Sequence, residues 1–242
     1  MHPGYPIERN SWLWRARTSS EIGFARAKED LEVKLYFFPV APNPTRVRLY
    51  LAEKSAAGFD FGVEEVLVSL PEGEQKSAEH LARNPQGNLP VLELDDASFL
   101  TESRVIIAYL EELQPEPTLT GQGVRRRARV AQLERIAEMG VLLSIAMTVH
   151  ATNSPLGLDP IPAMADFFRE RAEAPLQMLD ECLGDGRPFL AGESPTIADC
   201  TLASALQFGR YGQVPLDPKF SHLERWDRDY REREAVSDVL VM

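Results

Sequence analysis

The sequence predicts a two-domain chain, an α/β domain followed by an all-α domain, and three observations carry that reading. Residues 32–113 alternate between strand and helix signals in the order βαβ and then ββα. The segment Gln114-Pro-Glu-Pro-Thr118 breaks the pattern, because each proline removes an amide donor and biases the preceding residue away from helix. Beyond it strand signals cease, and apolar residues recur only at helical spacing. The expected boundaries are an N-terminal extension at 1–31, a first domain at 32–113, a linker at 114–121 and a helical domain at 122–242.

Each element has its own signal. In the extension, Arg9, Arg15, Arg17 and Arg26 mix with Trp12, Trp14 and Phe24 without periodicity, which reads as a tail or packing arm. Val33, Leu35 and Phe37 alternate with Lys34 and Tyr36, the period of a strand with two different faces. After the loop Pro39 to Pro44, Val47, Tyr50 and Leu51 recur at helical spacing, and Gly58 closes the first helix. A second strand spans Val63 to Val68 and is expected to pair in parallel through a right-handed crossover. The polar Pro71 to Glu74 loop and a short helix near Ala78 to Ala82 follow. Val91 to Leu94 and Ser98 to Leu100 flank the acidic turn Asp95-Asp96-Ala97 as an antiparallel hairpin, with Ala97 where glycine is more natural. Val105, Ile106, Tyr109, Leu110 and Leu113 make a helical stripe expected to pack back on the sheet.

In the second half, Val130, Leu133, Ala137 and Val141 mark one long helix and Phe167 to Leu183 another. Thr196 followed three residues later by Asp199 is a carboxylate analogue of the capping box, which satisfies amide donors that a helix start leaves over. Phe220, Leu223, Trp226 and Tyr230 mark the last clear helix.

Bulk properties narrow the partners. A net charge of −11 works against nucleic acid or an anionic membrane, since both reward clustered Lys and Arg. The run Arg125-Arg126-Arg127 with Arg129 is read as a solvated helix face, with a subunit interface or a ligand carboxylate as the alternatives. No apolar run approaches the roughly 18–20 residues that span a bilayer, and the N-terminus lacks the apolar core of a secretory signal. A soluble, cytoplasmic protein is expected. Cys182 and Cys200 form no Cys-x-x-Cys pair and suit a reducing compartment. His2, His80, His150 and His222 are too scattered for zinc-ligand spacing, so no metal is expected.

The motifs Asn84-Pro-x-Gly87, Asn88-Leu-Pro-Val-Leu92 and Glu102-Ser103, with Pro188-Phe-Leu-Ala-Gly192 and Thr196-Ile-Ala-Asp199 later on, give the chain a recognisable likeness. Over roughly residues 32–232 it resembles the cytosolic glutathione transferases, including bacterial members. The resemblance implies a thioredoxin-like N-terminal domain plus an all-α C-terminal domain, with glutathione as co-substrate. It also implies that Pro90 is cis, so that Leu89 presents its backbone to glutathione as an added strand would. Glu102 and Ser103 would meet the γ-glutamyl ammonium and carboxylate at a helix start, where exposed amides and the dipole favour an anion. Asn88 would reach the cysteinyl-glycine portion. Taken singly, Asn-Pro-x-Gly is a common turn and Ser103 could be only a helix cap.

The thiol is harder to place. A glutathione thiol titrates near 8.5, and lowering that by two units needs about 2.7 kcal/mol of preferential thiolate stabilisation. The family supplies it with a Tyr, Ser or Cys, but Phe37 and Ala41 stand at the matching positions. Asn43, in the loop Ala41-Pro-Asn43, resembles an asparagine that helps hold the sulfur in bacterial members and is the first candidate. Thr45, with a hydroxyl near the helix start, is second, and serves equally well as an N-cap. Tyr36, on the other strand face from Phe37, is third. Without a loop cysteine, deglutathionylation through a protein thiol lacks its nucleophile.

For a second-substrate pocket the candidates are Met139, Leu143, Met147 and His150, residues of a type more often found in a core. The implied activity is attack of the glutathione thiolate on a small hydrophobic electrophile, in a homodimer. A glutathione-dependent disulfide reductase, an ether-cleaving lyase and a non-catalytic glutathione-binding member are the alternatives.

Overall fold

The computed structural model describes residues 33–242, and the extension expected at 1–31 lies outside them. The chain runs β1 (Lys34–Phe37), α1 (Pro42–Ala56), β2 (Glu64–Leu67), a 3-10 turn (Glu74–Lys76), α2 (Ala78–Arg83), β3 (Val91–Glu93), β4 (Phe99–Thr101) and α3 (Ser103–Leu113). The strands form one sheet in the order β2-β1-β3-β4. β1 pairs with β2 in parallel, Leu35 opposite Glu65, and with β3 antiparallel, Leu35 opposite Leu92. β3 and β4 pair antiparallel with Leu92 opposite Leu100. The turn between them closes through Ala97 N–H to Leu94 O at 2.9 Å, and Ala97 takes a φ of 60°.

Strand alternation sorts β1 as the sequence predicts. Leu35 and Phe37 enter the main core with Val47 and Tyr50 of α1 and Ile106 of α3, while Tyr36 packs on the other face with Val68 and Val91. In α3 the buried stripe is Ile106, Ile107 and Leu110, whereas Val105 is 50% exposed and Leu113 is exposed too. This corrects the phase of the expected stripe. The helix starts at Ser103, itself buried, and the spacing 103, 106, 107, 110 then sets the inward face.

The helical half comprises α4 (Gly123–Arg135), a π-helical stretch (Ile136–Leu142), α5 (Leu143–His150), α6 (Pro162–Cys182), α7 (Ile197–Tyr211) and α8 (Ser221–Arg231). The long helix expected from Val130 to Val141 thus continues through a π segment into α5. Gly140 lies at the close crossing of that segment with α6, where a Cβ would sit 2.5 Å from Pro175. Asp199 of α7 accepts the Thr196 N–H at 2.9 Å, its hydroxyl at 2.8 Å and the Leu190 N–H at 2.8 Å. The expected cap is therefore part of a buried network. No helix among the described residues is long and apolar enough to cross a membrane.

One apolar core joins the halves, with α1 packed on α7. Two buried charges of α1 reinforce the junction. Glu53 accepts the Tyr230 hydroxyl at 2.8 Å and pairs with Arg233, one contact of 2.8 Å running to its Oε2. Lys54, fully buried, donates to the carbonyls of Gln114 at 2.6 Å and Pro117 at 2.7 Å and pairs with Glu111 at 2.9 Å.

Candidate functional site

The start of α1, the 3-10 turn, the loop before β3 and the start of α3 converge on one cavity of about 340 Å³. Ala41, Asn43, Gln75, Lys76, Asn84, Asn88, Leu89, Pro90, Glu102 and Ser103 line it, and Leu156 is its lining residue from the helical half. Of the sequence candidates, Asn43, Asn88, Leu89, Pro90, Glu102 and Ser103 come together here.

Local chemistry explains the arrangement. The Leu89-Pro90 peptide is cis. Gly87 holds a φ of 65°, and a Cβ there would lie 2.8 Å from the Gln75 carbonyl oxygen and 2.9 Å from the Lys76 Nζ, so only glycine lets the loop seat on the 3-10 turn. The Asn88 side chain sits at the rim and donates to Gln86 Oε1 at 3.3 Å. Glu102 caps α3 with a φ of 67°, a conformation rare outside glycine and typical of strained ligand-contact positions.

Helix α1 begins in an unusual way. Pro42 and Pro44 carry no amide hydrogen, and the Thr45 N–H already bonds the Ala41 carbonyl at 3.0 Å. The amide that the first turn leaves over is therefore that of Asn43. A single backbone donor, the Asn43 carboxamide and the positive helix end meet at one point of the cavity wall.

Ser103 connects this point to a buried ion network. Its hydroxyl accepts Arg46 Nε at 2.7 Å and donates to Asn43 Oδ1 at 3.3 Å. Arg46, 3% exposed, pairs with Glu138 at 2.8 Å and approaches Glu134 at 3.5 Å, and Glu134 also receives Arg104 at 3.0 Å and Thr201 at 3.3 Å. Guanidinium nitrogens only donate, so Arg46 commits the Ser103 oxygen as acceptor and its one proton to the cavity side. Burial lowers the Arg46 pKa and raises that of Glu134. Burial also opposes charge on Glu138, but Arg46 outweighs it and holds that carboxyl below its usual value.

The other candidates lie elsewhere. Thr45 is buried inside α1 rather than at its N-cap, which is Ala41, and its Oγ1 has no hydrogen-bond partner among the described residues. It does not line the cavity, because the helix starts before it. Tyr36 donates to Glu93 at 2.5 Å under the Arg83 guanidinium on the far sheet face, and burial with Glu93 pushes its pKa up to about 12. Phe37 is buried against Arg48. Met139 lines a second, separate hollow with Ile136, Pro175 and Met178, while Leu143 and Met147 are half-buried. His150 bonds Ser154 Oγ at 3.1 Å and lies near Phe208. The four are not gathered in the main cavity.

Sequence reading missed Gln75, Lys76, Leu156 and Arg46. Gln75 Oε1 is buried in the cavity wall with no hydrogen-bond partner among the described residues, so it is an acceptor suited to an incoming donor. Arg46 had a usable signal, one helical turn beyond Asn43 on the same face. Lys76 and Leu156 lie in segments that read only as connections.

Fold and cavity together define a two-domain protein with a thioredoxin-like half and a helical half. The N-terminal domain model of glutathione S-transferases matches residues 35–118 and the C-terminal domain model residues 127–228. "Glutathione S-transferase 2" of Saccharomyces cerevisiae is 30% identical over 210 residues, covering 85% of this chain and 88% of its own. A glutathione S-transferase domain-containing protein of Marinobacter aquaeolei superposes with a TM-score of 0.74 at 31% identity, over 84% of this chain and 99% of that one. A glutathione S-transferase of Methylobacillus flagellatus solved with GSH bound gives 0.73 at 27% identity, over 87% and 100%. The chain belongs to the glutathione S-transferase family.

Proposed function

We propose that this protein is a glutathione transferase whose main cavity binds glutathione and directs its thiolate at a small hydrophobic electrophile. The observation that carries the reading is the convergence of Asn43, Leu89, Glu102 and Ser103, distant in sequence, on one cavity. Each suits one part of the tripeptide. The γ-glutamyl carboxylate lies at the α3 start and takes over the Ser103 proton from Asn43 Oδ1, and Glu102 pairs with the α-ammonium. Leu89 pairs with the cysteinyl backbone. Lys76 attracts the glycyl carboxylate, and Gln75 Oε1 accepts a peptide N–H.

The sulfur then meets the α1 start. Asn43, through its amide N–H and carboxamide, and the helix dipole favour thiolate over thiol, and the proton leaves to solvent. The thiolate forms a carbon–sulfur bond with the electrophile, and the leaving group departs with its electron pair or, in an addition, the substrate takes up a proton. Leu156 supplies an apolar wall for that partner.

The same reading makes the protein a cytoplasmic homodimer, supported by its two unpaired cysteines and by exposed Val105, Met139 and Met178. Calorimetric titration with glutathione and turnover of a chloronitrobenzene test the activity. Binding with turnover is expected, both reduced by Ser103→Ala, and tight binding without turnover of any electrophile refutes the transferase step. Analytical ultracentrifugation tests the dimer, which a monomer at micromolar concentration contradicts.

A further inference from the structure

We propose that His80, outside the cavity lining, is a positioning residue that aims the Leu89 amide at glutathione. The inference rests on the glutathione-binding reading above. His80 lies in α2, 1% exposed, and its Nε2 meets the Asn88 carbonyl oxygen at 3.1 Å. Asn84 Nδ2 donates to the same oxygen at 2.9 Å. Both contacts are fixed from behind. Ser77 Oγ accepts the His80 N–H at 3.1 Å, the Asn84 N–H bonds the His80 carbonyl at 2.9 Å, and Asn84 Oδ1 accepts the Gln86 N–H at 3.1 Å.

A carbonyl oxygen only accepts, so Nε2 carries the ring proton, and Nδ1 is left as a buried lone pair with no partner among the described residues. Two donors saturate the two lone pairs of the Asn88 oxygen. The Asn88–Leu89 peptide is trans, cis bonds among the described residues being Leu89-Pro90 and Glu116-Pro117. In a planar trans peptide the C=O and N–H point in opposite directions. Clamping the Asn88 carbonyl inward therefore turns the Leu89 N–H away from α2, on the residue that lines the cavity. The next peptide has no N–H because residue 90 is proline, so Leu89 is where this loop offers a backbone donor.

This role separates from catalysis. His80 touches neither the substrate nor Asn43, and its loss acts on glutathione affinity alone. The experiment compares wild type, His80→Phe and His80→Gln by calorimetric titration with glutathione, by KM and kcat, and by urea unfolding. His80→Phe fills the space and removes the donor, and a KM and Kd for glutathione about tenfold higher are expected, the size of one lost hydrogen bond, with kcat at saturation held within twofold. His80→Gln restores a donor and is expected within about threefold of wild type.

In leucine-15N-labelled wild type, saturating glutathione is expected to shift the Leu89 amide resonance, a readout that does not depend on any variant folding. An unmoved Leu89 resonance, unchanged affinity in folded His80→Phe, or kcat and KM falling together with stability each overturns the assignment. Absence of glutathione binding to wild type overturns the binding reading itself and this inference with it, whereas equal binding by wild type and His80→Phe overturns this inference alone.

Discussion

Ser103→Ala is the perturbation whose consequences the structure specifies most fully. The hydroxyl is buried and has two partners, Arg46 Nε at 2.7 Å and Asn43 Oδ1 at 3.3 Å. Removing it strands a buried guanidinium N–H, which costs about 1–3 kcal/mol of stability. It also removes the proton that a bound ligand carboxylate would take over from Asn43 Oδ1. A hydrogen bond to a charged group contributes about 1.5–3 kcal/mol, so glutathione affinity is expected to fall roughly 10- to 150-fold at tenfold per 1.4 kcal/mol. Urea unfolding measures the first effect and calorimetric titration on the folded variant the second. A stable variant whose Kd lies within twofold of wild type refutes both the donor assignment and the placement of the γ-glutamyl end at α3.

Four further outcomes follow from named contacts. Arg46→Met leaves Glu134 and Glu138 short of a buried partner and is expected to lower stability by about 3–5 kcal/mol in urea unfolding; a loss under about 1 kcal/mol would show the network to be slack. Glu53→Ala strands Tyr230 and Arg233 at the junction of the halves, and a loss of similar size is expected by the same assay. Gly87→Ala forces a Cβ onto the Gln75 carbonyl at a left-handed φ, and weakened glutathione binding in step with lowered melting temperature is expected. His80 and His150 should each contribute a loss of stability in acid. Burial, with Arg83 and Lys76 nearby, lowers the His80 pKa below 6.5, so below that pH the unfolded chain binds a proton that the folded one refuses. His150 acts in the same direction through burial. Asp199, whose carboxyl burial pushes up to about 6, and Glu134 act in the opposite direction, so the His80 contribution is read by difference: from about pH 7 towards 5 wild type should lose stability relative to His80→Phe, and equal slopes contradict the assignment.

Most of the fold could be read from periodicity because strand and helix faces repeat along the chain. Leu35 and Phe37 against Tyr36, and Phe220, Leu223, Trp226 and Tyr230 in α8, fall where alternation and helical spacing place them. Phase failed where an element began earlier than its first apolar residue. In α3 the start at Ser103 was expected, but the inward face runs through Ser103, Ile106, Ile107 and Leu110 and turns Val105 outward, and the α1 start at Pro42 put Thr45 inside the helix. In the site, short motifs marked Leu89, Glu102 and Ser103, because a backbone donor or a helix start is encoded locally. Gln75 and Leu156 reach the site through contacts across long sequence separations, which no local pattern encodes, whereas Arg46, one turn beyond Asn43 in α1, carried a local signal. Helical spacing grouped Met139, Leu143, Met147 and His150, yet the π segment and the packing of α6 direct them to different surroundings.

The thiol pKa of bound glutathione tests the proposed chemistry most directly, because the loop at the sulfur position has no hydroxyl or thiol and stabilisation falls to Asn43 and the α1 start. Ultraviolet thiolate absorbance of the complex, followed against pH, reads it. A value about two units below the free thiol's ~8.5 is expected, returning towards the free value in Asn43→Ala. A bound thiol that titrates like free glutathione in the wild type would contradict the account.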